Sequence, residues 1–177
     1  MKPFIIPAIV ENHKVLNAVH FPLPRADELH DAVAKMFSAH LGCMQSGSRF
    51  ETEILLVTGL SGAGKTKELG RIVQLFNDSA LELPDGRRAS IVPAVLNRNA
   101  GWKYLGQNTL KAMGYPLSDR ARLTQPEIWQ RVVTQAKGQG IVGVHYDEAQ
   151  HIFMDRSEQE TGAILDNFKT LLKTLDW

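Results

Sequence analysis

The chain contains Gly59-Leu60-Ser61-Gly62-Ala63-Gly64-Lys65-Thr66, which matches the phosphate-binding loop pattern G-x-x-x-x-G-K-[ST] at every fixed position. In such a loop the glycines let the backbone approach a phosphate closely, and consecutive N–H groups surround the anion. Lys65 would bring its charge to the β- and γ-phosphates, in a catalytic as well as a binding role, and Thr66 would bring its hydroxyl to Mg²⁺. The predicted residues of a nucleoside triphosphate site are Gly59, Ser61, Gly62, Ala63, Gly64, Lys65 and Thr66.

The segments on both sides of the loop support this interpretation. Residues 53–58 form a short apolar run that predicts a buried parallel strand before the first glycine. After the loop, apolar side chains recur at helical spacing on one face, at Leu69, Ile72, Val73 and Phe76. The alternative, a chance glycine-rich turn, does not account for a predicted strand before the loop and a predicted helix after it.

A second apolar run, residues 141–146, leads directly into Asp147 and Glu148. An apolar strand that delivers carboxylates at its C-terminal edge is the Walker B pattern, and ligands of open α/β sheets bind at that edge. We expect Asp147 to hold Mg²⁺ through a coordinated water, and Glu148 to orient and polarise the attacking water as a catalytic residue. An Asp-Glu pair taken alone more often opens a solvated helix, but downstream of an intact phosphate loop the metal site is favoured.

The composition is that of an ordinary globular domain. The 177 residues suit one domain, and 44% of them are hydrophobic. Cys43 is the sole cysteine and cannot form an internal disulfide, which indicates a reducing compartment and predicts a cytoplasmic protein. The apolar residues 4–10 are too few to span a bilayer, so no membrane partner is expected. The formal net charge of +1 means that any nucleic-acid contact must come from a local basic patch.

The remaining patterns divide the chain into a proline-punctuated N-terminal arm, residues 1–24, expected to be extended, and a phosphate-loop domain, residues 25–177. Pro93 lies inside the apolar run 90–96 and favours an edge strand or a bulge there. Thr124 is expected to cap a helix that has Pro126 in its first turn. Predicted helices cover about 26–41, the stretch after the loop to about 77, about 102–113, the stretch after 124, and a last stretch that includes 164–175.

This alternation of helices and strands, with an Asp-Glu Walker B, resembles the AAA+ branch of the ASCE-type P-loop ATPases. Within that branch the chain is similar to the transposition regulators of the TniB, TnsC and MuB type. The stretches that carry the likeness are the phosphate loop, Ala94-Val95-Leu96, Leu110-Lys111-Ala112-Met113-Gly114-Tyr115-Pro116, Asp147-Glu148-Ala149-Gln150-His151 and Asp166-Asn167-Phe168-Lys169-Thr170-Leu171-Leu172. The resemblance implies an α/β three-layer sandwich with a mainly parallel sheet, and bound ATP and Mg²⁺. It also implies self-assembly into a ring or filament on double-stranded DNA, with a transposase as partner.

The resemblance implies further features that have no counterpart in the sequence. In that family the sheet order is 5-1-4-3-2, with strand four between the strands of the two nucleotide motifs. The chain stops at Trp177, where strand four should begin, so no sensor, arginine finger or helical lid is assigned. We therefore expect a truncated piece of a longer ATPase, weakly active without the missing part or a neighbouring subunit. Relatives pack the adenine near the position of Phe21, and the alternative for Phe21 is an ordinary core residue.

The loop of residues 97–103 follows the predicted strand 90–96. At this position, ring-forming relatives have a loop that faces their central channel. Arg98 and Lys103 could neutralise DNA phosphates while Trp102 offers a stacking face; the alternative is a solvated loop with a half-buried tryptophan. The favoured function is an ATPase that assembles on DNA with ATP and recruits or activates a transposase. The alternative is a P-loop switch or adaptor of the secretion-associated or signalling type, without DNA. A small-molecule kinase is disfavoured because Glu148 is placed for water.

Overall fold

The computed structural model describes residues 5–19, 24–48, 52–97, 101–117 and 122–174. Its fold is α/β, as the sequence predicts, with helices packed on a short parallel sheet. The helices are α1 Pro7–Ala18, α2 Pro24–Ser46, α3 Lys65–Asp78, α4 Trp102–Ala112, α5 Gln125–Gln139 and α6 Glu158–Thr174, with a 3₁₀ helix at Ala149–Ile152. The strands are β1 Ser90–Val95 and β2 Ile141–Asp147. No helix among these residues is both long and apolar enough to cross a membrane.

The two strands lie side by side and parallel, with Pro93 opposite His145 and Val95 opposite Asp147. Because the strands are parallel, β1 and β2 end at the same edge of the sheet, where ligands of this fold class bind. Within the described ranges each strand has one neighbour, so Pro93 lies in an edge strand, where a residue without an N–H donor is tolerated. The sequence predicts an edge position or a bulge here, and Pro93 lies at the edge of the two strands that the structure describes.

The core forms where α4 and α5 pack on each other and on the strands. Leu105 and Ile128 are completely buried there. Gly106 lets the two helices approach closely, since a Cβ at this position would lie 2.7 Å from Cγ2 of Ile128. α5 begins at the predicted cap, where the N–H of Thr124 donates to the carboxylate of Glu127 at 2.7 Å. This packing holds β2, and with it the Asp-Glu pair, in place.

Helix α2 extends beyond the predicted 26–41 at both ends and lies against the sheet through Phe37. The ring centroid of Phe37 is 4.6 Å from that of Phe76 in α3. On the β2 side, a Cβ at Gly143 would come 3.1 Å from Cζ of Phe37, so this glycine makes room for the ring. Phe37 thus brings α2 into contact with both α3 and β2.

The N-terminal segment differs from the prediction. The sequence predicts an extended arm over residues 1–24, whereas the structure has α1 over Pro7–Ala18. Pro7 begins this helix, and proline is tolerated in a first turn because the N–H that it lacks would have no intrahelical partner. The extended-arm prediction takes the prolines of this segment as interruptions of regular structure, and it is wrong because Pro7 instead begins a helix.

Residues 53–58 are not the buried strand that the sequence predicts. They form no strand, and Ile54 and Leu56 are 58% and 71% exposed. A strand requires a hydrogen-bonded neighbour, and this segment pairs with neither β1 nor β2. In the order 5-1-4-3-2 a further strand would separate this segment from β2, and the described residues contain no such strand. Among the described residues, this apolar run consequently has no neighbouring strand with which to pair.

Candidate nucleotide-binding site

The phosphate loop leads directly into α3, which begins at Lys65. Gly62 and Gly64 have φ angles of 74° and 83°, a left-handed conformation that glycine adopts without steric cost. The N–H of Ala63 closes the turn by donating to the carbonyl of Leu60 at 3.2 Å. The first N–H groups of α3 have no intrahelical acceptor and carry the positive end of the helix dipole. The loop and the start of α3 together form a concentration of N–H donors suited to a phosphate.

Lys65 lies folded over the loop that precedes it. Its Nζ donates to the carbonyls of Gly59 at 2.8 Å and of Leu60 at 2.9 Å. These bonds hold the positive charge next to the N–H groups of the loop rather than in bulk solvent. An ammonium group has three donors, and phosphate oxygens are stronger acceptors than neutral carbonyls. Lys65 is therefore placed to exchange these carbonyls for phosphate oxygens.

The structure brings Thr66 and Asp147 together. The hydroxyl of Thr66 donates to Oδ1 of Asp147 at 3.1 Å, although the two residues are 81 positions apart in the chain. Hydroxyl and carboxylate oxygens are ligands that suit Mg²⁺, which commonly binds through one or two protein groups, waters and substrate phosphates. The described residues contain no group of three or more His, Cys, Asp or Glu side chains that could hold a metal alone. The oxygens of Thr66 and Asp147 fit a metal whose remaining ligands are waters and phosphate oxygens.

Glu148 occupies the turn between β2 and the 3₁₀ helix. Its φ of 58° is left-handed, an uncommon conformation for a residue with a side chain. Its N–H donates to Oδ1 of Asp147 at 3.0 Å, and its exposed carboxylate accepts a hydrogen bond from the amide of Gln150. The turn directs the two carboxylates to different partners, so Asp147 contacts Thr66 while Glu148 stays available to solvent. Gln150 is a functional candidate that the D-E-A-Q-H stretch contained but that sequence reasoning gave no role.

The residues before the acidic pair are packed rather than reactive. The phenol of Tyr146 bonds the hydroxyl of Thr109 at 2.6 Å, and burial raises the pKa of Tyr146 to about 12. Burial also disfavours the charged form of His145 and so lowers its pKa. The nearby negative charge of Asp147 acts in the opposite direction. The Tyr146–Thr109 bond ties the end of β2 to α4. His145 is half-buried on the strand, a position consistent with packing.

Arg25 is a residue near the loop that the sequence gives no reason to select. It lies in the first turn of α2, and its Nη2 donates to the carbonyl of Ala63 at 2.8 Å, across 38 positions of chain. No spacing or motif connects the two residues, because the contact depends on how α2 docks against the sheet. The loop is thus held from outside by a second positive side chain.

Among the predicted DNA contacts, Trp102 packs against other aromatic rings of the protein. Its indole stacks on Trp129 with the ring centroids 4.4 Å apart, and it meets Phe168 edge-on at 4.8 Å. The predicted stacking face for a base is therefore used in the core, which agrees with the alternative of a half-buried tryptophan. Lys103 is exposed beside it. Arg98 and the predicted adenine contact Phe21 lie outside the described residues.

Comparison with known proteins identifies the family. A family model described as an AAA domain matches residues 48–176, a range that contains the phosphate loop and the Asp147–Glu148 pair. None of the curated proteins compared with the chain matches it. The family match indicates nucleotide-binding ATPase activity, usually with a divalent metal. The chain belongs to the AAA-domain family of P-loop ATPases.

Proposed function

We propose that this chain binds ATP with Mg²⁺ at the loop of residues 59–66 and hydrolyses the γ-phosphate bond. The observation that carries the proposal is the 3.1 Å hydrogen bond between Thr66 and Asp147. It joins the end of the phosphate loop to the end of β2, so the anion cradle and the carboxylate belong to one place. The site thus combines N–H donors, a lysine and a carboxylate in one place.

Each residue has a distinct part in the proposed reaction. Lys65 and the N–H groups of the loop bind the phosphates and stabilise the negative charge that develops on them during phosphoryl transfer. Thr66 and Asp147 would hold Mg²⁺, which supplies charge neutralisation at the β- and γ-phosphates when bound. Glu148 accepts a hydrogen bond from water and orients it toward the γ-phosphorus. The oxygen of this water forms a bond to the γ-phosphorus while the bond from that phosphorus to the β,γ-bridging oxygen breaks. The proton that the water loses passes to the Glu148 carboxylate, and ADP and inorganic phosphate leave.

Replacing Asp147 by asparagine tests the shared metal site. Asp147→Asn keeps the side-chain shape but removes the charge, so apparent Mg²⁺ affinity measured with a non-hydrolysable ATP analogue should fall about 10- to 100-fold. Binding of the analogue in EDTA should be unchanged, because the loop itself is intact. Asp166→Asn, at an exposed aspartate of α6, is the matched control and should leave both values unchanged. Equal Mg²⁺ dependence of analogue binding in wild type and Asp147→Asn would show that Asp147 does not hold the metal.

We further propose that the ATP-bound chain assembles on double-stranded DNA and recruits or activates a transposase. The support is the resemblance of the D-E-A-Q-H and α6 stretches to transposition regulators, together with the exposed Lys103 in the first turn of α4. Trp102 adds no stacking to this proposal, since its ring is packed against Trp129. Any contact from Lys103 would therefore be with DNA phosphates and would not depend on DNA sequence.

The DNA proposal predicts a change in salt dependence. Lys103→Ala should weaken binding about equally on unrelated duplexes and flatten the slope of log affinity against log salt by about 0.9, the value for one lost phosphate contact. The assay uses random-sequence duplexes with a non-hydrolysable ATP analogue, and Lys137→Ala in α5 is the charge-matched control. An unchanged slope would remove Lys103 from the interface. If wild type with ATP did not bind DNA at all, the adaptor alternative without DNA would replace this proposal.

A further inference from the structure

The contact between Arg25 and the phosphate loop is a hydrogen bond from a charged donor to a neutral carbonyl. Its 2.8 Å length is normal for such a bond, and charged donors form stronger hydrogen bonds than neutral ones. The acceptor, Ala63, lies between the two glycines with left-handed φ, Gly62 and Gly64. Glycines restrict the backbone least, so the peptide groups between them gain most from an external partner.

Peptide geometry converts this contact into an effect on the anion cradle. The carbonyl of Ala63 and the N–H of Gly64 belong to one planar peptide unit, and the described chain has no cis peptide bond. In a trans unit the two groups point in opposite directions. Holding the carbonyl toward Arg25 therefore directs the Gly64 N–H away from α2. In a phosphate loop this N–H is one of those that surround the anion.

The position of Arg25 is set by a helix rather than by a mobile loop. Ala26, the next residue, is buried, and Phe37 further along α2 packs on Phe76 and against Gly143. Through Phe37, α2 touches α3 and β2, the same two elements that carry Thr66 and Asp147. The guanidinium reaches the loop from the first turn of α2, and a positive charge on the carbonyl further polarises the N–H at the other end of the peptide.

We propose that Arg25 is a positioning residue of the nucleotide site, which holds the Ala63–Gly64 peptide so that the Gly64 N–H faces the β-phosphate. The proposal rests on the proposed function of the loop. Arg25 acts through the backbone and does not itself touch the nucleotide. Because the β-phosphate is common to ADP and ATP, the loss of Arg25 should affect both nucleotides and pyrophosphate alike.

The first test is the affinity for ADP and for inorganic pyrophosphate. Arg25→Ala should weaken both about tenfold, and Arg25→Lys should restore part of the loss, because an ammonium group can still donate to the carbonyl. Lys35→Ala removes one exposed charge from the same helix and should bind both probes like wild type. An Arg25→Ala variant whose ADP and pyrophosphate affinities stay within twofold of wild type would overturn the proposal.

The second test is a spectroscopic signature of the loop without nucleotide. In nucleotide-free protein, the Gly64 amide resonance should move in Arg25→Ala and much less in Lys35→Ala. The amide of Gly106, in the α4–α5 core, should stay in place in both variants, which separates a local effect from loss of folding. An unmoved Gly64 resonance in Arg25→Ala would also overturn the proposal.

The two proposals fail in different ways. If wild type bound neither ADP nor pyrophosphate, both the nucleotide site and the role of Arg25 would be wrong. If Lys65→Ala lost binding while Arg25→Ala kept wild-type affinity, only the role of Arg25 would be wrong.

Discussion

Lys65→Ala is expected to abolish measurable nucleotide binding. The substitution removes the ammonium group that would contact two phosphates, and hydrogen bonds to charged groups contribute about 1.5–3 kcal/mol each. Two such bonds correspond to a loss of about 3 kcal/mol or more, roughly 100-fold or more in affinity. The loop also loses the bonds that hold the carbonyls of Gly59 and Leu60. The measurement is the dissociation constant of a non-hydrolysable ATP analogue with Mg²⁺.

A charge-matched control lies on the same helix. Lys67 is exposed two residues further along α3, so Lys67→Ala removes an equal charge from the same region without touching the loop. This variant should bind the analogue nearly as wild type does. An unchanged dissociation constant in Lys65→Ala would show that residues 59–66 are not the site.

Glu148→Gln should bind ATP normally and fail to hydrolyse it. The amide keeps the size of the side chain and loses the carboxylate that orients and polarises water, an effect of about 10²–10⁴ in rate for general acid–base catalysis. Binding should survive because Glu148 contacts Asp147 only through its backbone N–H. The experiment combines analogue affinity with phosphate release under conditions in which wild type turns over.

Glu158→Gln in the first turn of α6 is the control for this substitution, since it removes an exposed carboxylate away from β2. It should release phosphate at the wild-type rate. Wild-type turnover by Glu148→Gln would assign water activation to another residue. A simultaneous loss of affinity would indicate instead that Glu148 binds the nucleotide.

The residues that could be predicted from the sequence are those whose local chemistry demands a particular residue type. The glycines at 62 and 64 are required by left-handed backbone angles, and the structure has those angles. Helical periodicity after the loop predicts α3, and an apolar run ending in two carboxylates predicts β2. The hydrogen bond from Thr66, at the start of α3, to Asp147, at the end of β2, joins the two motifs that the sequence predicts as parts of one site.

The residues that could not be predicted depend on packing between distant elements. Residues 53–58 have the composition of a strand but no hydrogen-bonded neighbour among the described residues, so composition alone misleads. Trp102, the first residue of α4, stacks on Trp129 of α5, and its own neighbours in sequence do not predict this contact. The contact of Arg25 with Ala63 depends on the docking of α2, and no periodicity encodes it.

The most direct measurement is a titration of the isotope-labelled wild-type chain with Mg·ADP, followed through its backbone amide resonances. The competing location is the open cavity lined by Tyr115 and Arg131 of the described chain. A single nucleotide site at the loop predicts that the amides of residues 59–66 and of Asp147 and Glu148 move together, with one dissociation constant. Shifts confined to the Tyr115 and Arg131 cavity, or no shifts at saturating Mg·ADP, would contradict it.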